Sequence, residues 1–350
     1  MPTDPGATLS VLRPGPQDLV QDAGRRGVQR QGVPPSGVFD ADAHAAALAL
    51  AGAPPGAAVI EFVQASGTYT LAAPHPIRIA IAGAPGPVDI GGRRFDSNRS
   101  FTLAPGESLR AGPRTAGQRG YIAVAGGLAL DPVLGSRATN LRGGFGGLEG
   151  RALAAGDTLP LGPAPHPTGP ERLIPDTAWP PRPGANPLLL RVLPGPQDDH
   201  FTQAERDRFH AAIYTITAEA DRMGYRLDGP RIAHAEGFNI VSDAIATGSV
   251  QIPGNGLPIV LLVDRQTTGG FPKIATVISA DIPLLAQLGP GDRLRFTPVT
   301  RDAAESAARA RARWRAALPA ALAPCVLDPA EMTPDYLLSR NLIEAFRPDP

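Results

Sequence analysis

The sequence predicts a mainly β fold, two similar β-rich barrels with a few covering helices and a C-terminal helix. Three observations carry that reading. Short apolar, β-favouring runs recur along the chain, each bounded by Gly or Pro. Glycine and proline number 40 each while aromatic residues make up only 5 %, a composition that punctuates strands and turns rather than a helical bundle. The chain also echoes itself. Pro14-Gly15-Pro16-Gln17-Asp18 returns as Pro194-Gly195-Pro196-Gln197-Asp198, and Pro105-Gly106-Glu107-Ser108-Leu109-Arg110 returns as Pro290-Gly291-Asp292-Arg293-Leu294-Arg295. Each unit thus opens with a strand running into PGPQD and closes with a turn into a strand. Two copies at so long a spacing indicate duplication, not a solenoid.

The first unit is expected over residues 1–162. Its strands include residues 77–82 (IRIAIA) and 121–125 (YIAVA). A helix is expected over residues 40–51, opened by an Asp cap and ended before Gly52. Glu61, a lone acid within VIEFV, reads as facing water. Asp18 and Asp198 read as caps of the segments that follow their turns. Ser36 and Asp40 serve as helix-entry caps as readily as ligands. Residues 163–187 are Pro-rich and form a linker or surface crossing. The second unit is expected over residues 188–300, with strands at 188–193 (LLLRVL) and 259–263 (IVLLV) and a capped amphipathic helix over 202–210. Residues 301–350 form an appendage. It contains a polar helix over 301–318, either a surface helix or a docking element, and a tail from Met332 that is partly disordered or docked.

With 350 residues and 43 % hydrophobic side chains the chain can bury two cores. Thirty-three basic side chains balance 33 acidic ones, so no broad nucleic-acid or membrane surface is indicated. A lone cysteine, Cys325, excludes a disulfide framework and a Cys-rich metal site. The start lacks a basic, apolar leader, and no run approaches a membrane span. A cytoplasmic protein is expected. The six histidines show no zinc-hydrolase spacing, so no metal is expected. A Walker loop and a nucleophile elbow are missing too, and Gly143-Gly144-Phe145-Gly146-Gly147 reads as a tight loop rather than a phosphate cradle.

Five polar, glycine-hinged segments hold more chemistry than a core needs. They are residues 21–40, 117–121, 135–140, 221–227 and 264–273. The last follows an apolar strand, and rigidly held loops commonly carry binding groups. Asp264, Gln266 and Lys273 are the catalytic candidates. Substrate-binding candidates are Gln21, Asp22, Arg25 and Ser36 in the first segment, then Arg119, Arg137, Arg222 and Arg226, and finally Gln251, Thr267, Thr268 and Gly269. Arg and Lys suit carboxylates or carboxybiotin-like anions, while Gln, Thr and backbone N–H groups polarise an amide carbonyl. The competing reading makes Asp264 and Arg265 a surface ion pair and the glycines a turn.

Taken in order, QDAGRRGVQRQGVPPSGVFD, GQRGYIAVAGGL, LGSRATNLRGGFGGLEGR, RVLPGPQDDHFT, ADRMGYRL and GSVQIPGNGLPIVLLVDRQTTGGFPKIATVISAD resemble the allophanate hydrolase subunit 2 family. That family includes the C component of prokaryotic 5-oxoprolinase and part of the carboxyltransferase domain of urea carboxylase. The resemblance runs from about Ser10 to Val299. It implies a pair of cyclophilin-like barrels and a small-molecule amide substrate. It also implies two partners, a subunit 1-type homologue (the B component) and a lactam-utilisation-type protein (the A component). Asn140 and Asp243 depart from the family pattern, which often has Asp and Glu there. The resemblance favours a subunit of an ATP-dependent 5-oxoprolinase complex, with ATP used at the level of the complex. Transfer of CO2 from carboxybiotin to urea or a related amide is the alternative. No Met-Lys-Met biotinylation site occurs, so biotin is not attached to this chain. A non-catalytic regulatory partner-binding role is the third reading.

Overall fold

In the computed structural model, residues 6–180 and 187–325 are described. The N-terminal half is two sheets around one core. The first runs in the order 158–160, Thr8–Arg13, Thr68–Ala72, Ser108–Ala111, Pro87–Ile90, Arg93–Asp96. The second begins Asp18–Gln21, Val59–Val63, Arg119–Val124, Ile77–Gly83, Arg99–Leu103. Alternation along Ile77–Gly83 explains how this second sheet is covered on both faces. Ile77, Ile79 and Ile81 point into the core between the sheets. Ala80 and Ala82 point the other way, where their small side chains let helix α1 (Ala41–Ala51) lie close.

Helix α1 starts and stops for local reasons. The Asp40 carboxylate accepts from the backbone N–H of Asp42 and Ala43, and Gly52 ends the helix in the left-handed region. In the C-terminal half, seven strands close into a barrel in the order Leu188–Pro194, Lys273–Val277, Ser249–Gln251, Ile259–Leu261, Gly224–Asp228, Tyr214–Ala220, Arg293–Pro298. Helix α2 (Gln203–Ala211), capped by Thr202, packs Phe209 on Phe296. Helix α3 (Ile282–Leu285) approaches α1 across the halves. Asp243–Ala244 and Thr268–Gly269 pair as a separate two-stranded ribbon.

The C-terminal helix, α4 (Arg301–Ala321), is docked. Arg311 and Arg315 both reach Asp42 on α1 at 2.8 and 2.7 Å, Trp314 donates to the Ala178 carbonyl, and Leu318 is buried. Its two cations face an acid in the first turn of α1, where negative charge is favoured by the helix dipole. The Pro-rich crossing is pinned as well. Arg172–Leu173 adds to the second sheet between Arg99–Leu103 and Ala323–Pro324. Residues 181–186 of the crossing and the tail from Met332 lie outside the described residues. Among the described residues, no helix is long and apolar enough to cross a membrane.

Candidate functional site

Glu61 does not face water. It is 1 % exposed at the junction of the halves. Its strand is covered on both sides, so the face that alternation assigns to solvent is covered by the other half of the chain. Tyr121 Oη and the Phe39 N–H donate to one carboxylate oxygen, and Arg222 Nη1 to the other at 2.5 Å. Arg119 Nε lies 3.7 Å away. Burial alone would push the Glu61 carboxyl up, but Arg222 and Arg119 outweigh it and hold the group below its ordinary value. Arg222 continues the chain of contacts through Nε to Asp264 at 2.8 Å and through Nη2 to the Gly37 carbonyl at 2.6 Å. Arg119 Nη1 donates to Tyr225 Oη and to the Ala286 carbonyl. Gln287 ties Asp40 to the backbone of Gln118 and Arg119. A buried, cross-linked polar join therefore fixes how the halves meet.

Asp264 and Arg265 accordingly form no surface ion pair with each other. Asp264 is buried against Arg222. Arg265 is buried too, and its Nε and Nη2 donate to the Ile245 carbonyl. Gln29 Nε2 donates to the same carbonyl, which stitches the first N-terminal loop to the second half. That loop folds back on itself at Gly37 (φ +82), where a Cβ would come within 2.7 Å of Gly24.

The remaining candidates fall into three groups. Around the N-terminal loop, Gln21 Nε2 donates to the Thr139 carbonyl. Asp22 accepts from Ser136 Oγ and the Arg137 N–H. The Arg137 side chain reaches the Leu130 carbonyl. Arg25 donates to the Val133 and Ala138 carbonyls beneath the Phe145 ring. Ser36 accepts from Asn140 Nδ2. These contacts fill the Gly143–Gly147 loop. A Cβ on Gly146 would lie 2.1 Å from the Ala138 carbonyl oxygen, so the loop packs tightly against the 135–140 segment.

The second group lines a cleft of about 580 Å³ that includes Arg142, Asp221, Arg226, Gln251, Gln266 and Phe271. Arg226 is exposed and pairs with Glu219 at 2.9 Å. Gln266 is exposed, and Gln251 is buried with its amide directed at the Phe271 carbonyl. Arg142 comes from the N-terminal half and contacts Met223 Sδ. Sequence reasoning did not single it out, because it lies past the 135–140 segment and only folding brings it to the cleft. The third group is the ribbon. Thr268 and Gly269 lie on it, and the Thr267 carbonyl accepts from Ile245. Lys273 is 1 % exposed, and its Nζ donates to Asp243 at 2.9 Å. A Cβ on Gly269 would lie 2.8 Å from Gln251 Nε2, so the absence of a side chain at Gly269 lets the ribbon lie over the cleft group.

The cleft offers the Arg142 and Arg226 guanidinium groups for a carboxylate and the Gln251 and Gln266 amides for an amide carbonyl or N–H, with the buried Lys273 ammonium on the strand next to Gln251.

Residues 31–298 match the family described as carboxyltransferase domain, subdomain A and B. The chain is 33 % identical to the C component of 5-oxoprolinase from Escherichia coli K12 over 311 residues, covering 87 % of this chain and 96 % of that protein. It is similar to the crystal structure of Kluyveromyces lactis urea carboxylase, with TM-score 0.83 and 26 % identity, over 95 % of this chain and 31 % of that one. It is also similar to the crystal structure of TTHA0988, with TM-score 0.74 and 36 % identity, over 85 % of this chain and 57 % of that one. The chain thus spans nearly all of the bacterial 5-oxoprolinase component but less than two thirds of either solved chain.

Proposed function

This chain belongs to the carboxyltransferase domain, subdomain A and B family, and we propose that it acts as the C component of a cytoplasmic, ATP-dependent 5-oxoprolinase complex. The observation that supports this is the alignment with a curated 5-oxoprolinase C component over almost its full length. That relative is named as one subunit among several, so partners are required. We assign them as a subunit 1-type homologue (the B component) and a lactam-utilisation-type protein (the A component), with ATP consumed by the complex to drive opening of the lactam of 5-oxoproline to glutamate.

In this proposal the cleft receives the substrate. Arg142 and Arg226 are the cations that meet its carboxylate, and Gln251 and Gln266 hydrogen-bond its lactam group. Lys273 supplies positive charge beside the reacting carbonyl. Asp264, fully engaged by Arg222, positions the loop that carries Gln266, Thr267 and Thr268. The likeness to urea carboxylase across 95 % of this chain favours a second reading, transfer of CO2 from carboxybiotin carried on another chain to urea or a related amide.

Gentle purification of the tagged protein from its host, with mass spectrometry of what co-purifies, separates these readings. Homologues of the A and B components with ATP-dependent glutamate release from 5-oxoproline are expected. A biotinylated partner with no such release would establish carboxyl transfer, and a kinase as sole companion would point to regulation. Lys273→Ala is expected to lower turnover of the reconstituted complex by about 10²-fold or more, the scale of losing one preorganised charge at a reacting centre. Unchanged turnover would remove Lys273 from the mechanism.

A further inference from the structure

Lys273 is the single lysine among the chain's 33 basic side chains. Every other basic position uses arginine, which is planar, permanently charged and bulky, whereas an ammonium is a compact point charge with three donors. Here the ammonium is buried, and the side-chain acceptor it meets is Asp243. Asp243 is itself 47 % exposed in its side chain. It is held by Lys273 and by Gln197 Nε2 at 3.1 Å, and these bonds keep its carboxyl below the ordinary range. Gln197 also accepts from the Lys273 N–H.

Asp243 lies on the ribbon, so the ribbon reaches over to the Lys273 ammonium on its barrel strand. Its ladder is two residue pairs long, Asp243 with Gly269 and Ala244 with Thr268. One backbone bond flanks each end, from Ile240 to Gly270 and from Ile245 to Thr267. So short a ribbon has no independent stability. Val241 is 92 % exposed, and Phe238, 45 % exposed, rests one side of its ring on Gly254 and near the His234 ring. One end is fixed, because the buried Ile245 carbonyl is gripped by Arg265 and Gln29. At the other end Gly237 adopts φ +95 with open space around it, a backbone position suited to a hinge.

We propose that residues 237–244 form a lid over Lys273, latched by Asp243, and that an anionic ligand reaches the Lys273 ammonium only when Asp243 is displaced. Asp243 then acts as a built-in carboxylate that holds the site until the charge-bearing oxygen of a ligand's reacting carbonyl replaces it. This rests on the reading of Lys273 as a working group, but its test does not depend on activity.

The full chain is treated with an acetylating N-hydroxysuccinimide ester, and acetylation of the Lys273 peptide is followed by mass spectrometry with the α-amine as internal reference. Two variants are compared with wild type. Asp243→Asn is expected to speed Lys273 labelling about tenfold, as loss of about 1.4 kcal/mol of latch energy gives. Ala244→Cys with Thr268→Cys, in a Cys325→Ser background, joins the paired strands by a disulfide. It is expected to slow labelling about tenfold when oxidised and to restore it on reduction. Equal labelling of the oxidised and reduced forms overturns the lid, even if Asp243→Asn labels faster, because that gain would then come from altered charge alone. If the disulfide blocks labelling while Lys273→Ala complexes keep full turnover, the lid stands and the proposed role of Lys273 falls.

Discussion

The two Pro-Gly-Pro-Gln-Asp turns have one sequence and two fates. In the first, Asp18 is buried and accepts from the Gly15 and Gly67 N–H groups and from Tyr69 Oη at 2.5 Å. In the second, Gly195 packs against the Lys273 carbonyl, where a Cβ would come within 2.0 Å. The side chain that engages the facing strand is Gln197, not Asp198. The backbone approach is alike. The difference lies opposite the turn, where the first copy meets the Gly67 N–H and Tyr69 Oη and the second meets the Lys273 N–H. A duplicated turn thus became a sealed structural staple in one half and the seat of a part-buried polar cluster in the other.

The largest expected effect lies at the join between the copies. Glu61→Ala leaves Arg222 and Arg119 buried without their shared carboxylate. Uncompensated charge of this kind costs about 3–5 kcal/mol, to be read as a lowered midpoint in urea unfolding. A loss below about 1 kcal/mol would show that the Glu61 carboxylate is not what holds the halves together. Next comes the contrast between the turns. Asp18→Ala leaves three donors unmet and should cost about 2–4 kcal/mol, whereas Asp198→Ala should stay within about 0.5 kcal/mol. Equal losses would erase the distinction between a sealed and an open copy.

The smallest effect is on the acid limb of the stability curve, where the two buried acids act in opposite directions. Glu61 has a depressed folded pKa. Its contribution is complete above its ordinary value of 4.5 and is lost as pH falls through the depressed value. Asp18 has no cation to offset burial, and its pKa is raised. Its contribution is present below 3.8 and is lost as pH rises through the raised value. Stability measured between about pH 5 and pH 3 should therefore fall more steeply in Asp18→Asn and less steeply in Glu61→Gln than in wild type. Parallel curves would contradict the assignment.

The sequence by itself determined the strand-rich character, the echo of the turns, the caps of α1 and the polarity of the loops after residues 21, 135, 221 and 264. These follow from local physics: β-favouring runs between breakers, an Asp that satisfies orphan N–H groups, and glycines where the chain must turn. Only the tertiary structure decided which polar groups are buried and whom they meet. Alternation placed Glu61 on the outer face of its strand, and that was correct as geometry. The outer face became an interior because the second half packs there and brings Arg222 from 161 positions away. Arg142 and Asp243 were decided in the same way, by where separate loops meet. A partner's distance in sequence leaves no periodic trace, and the cost of burying a charge is settled by that partner alone.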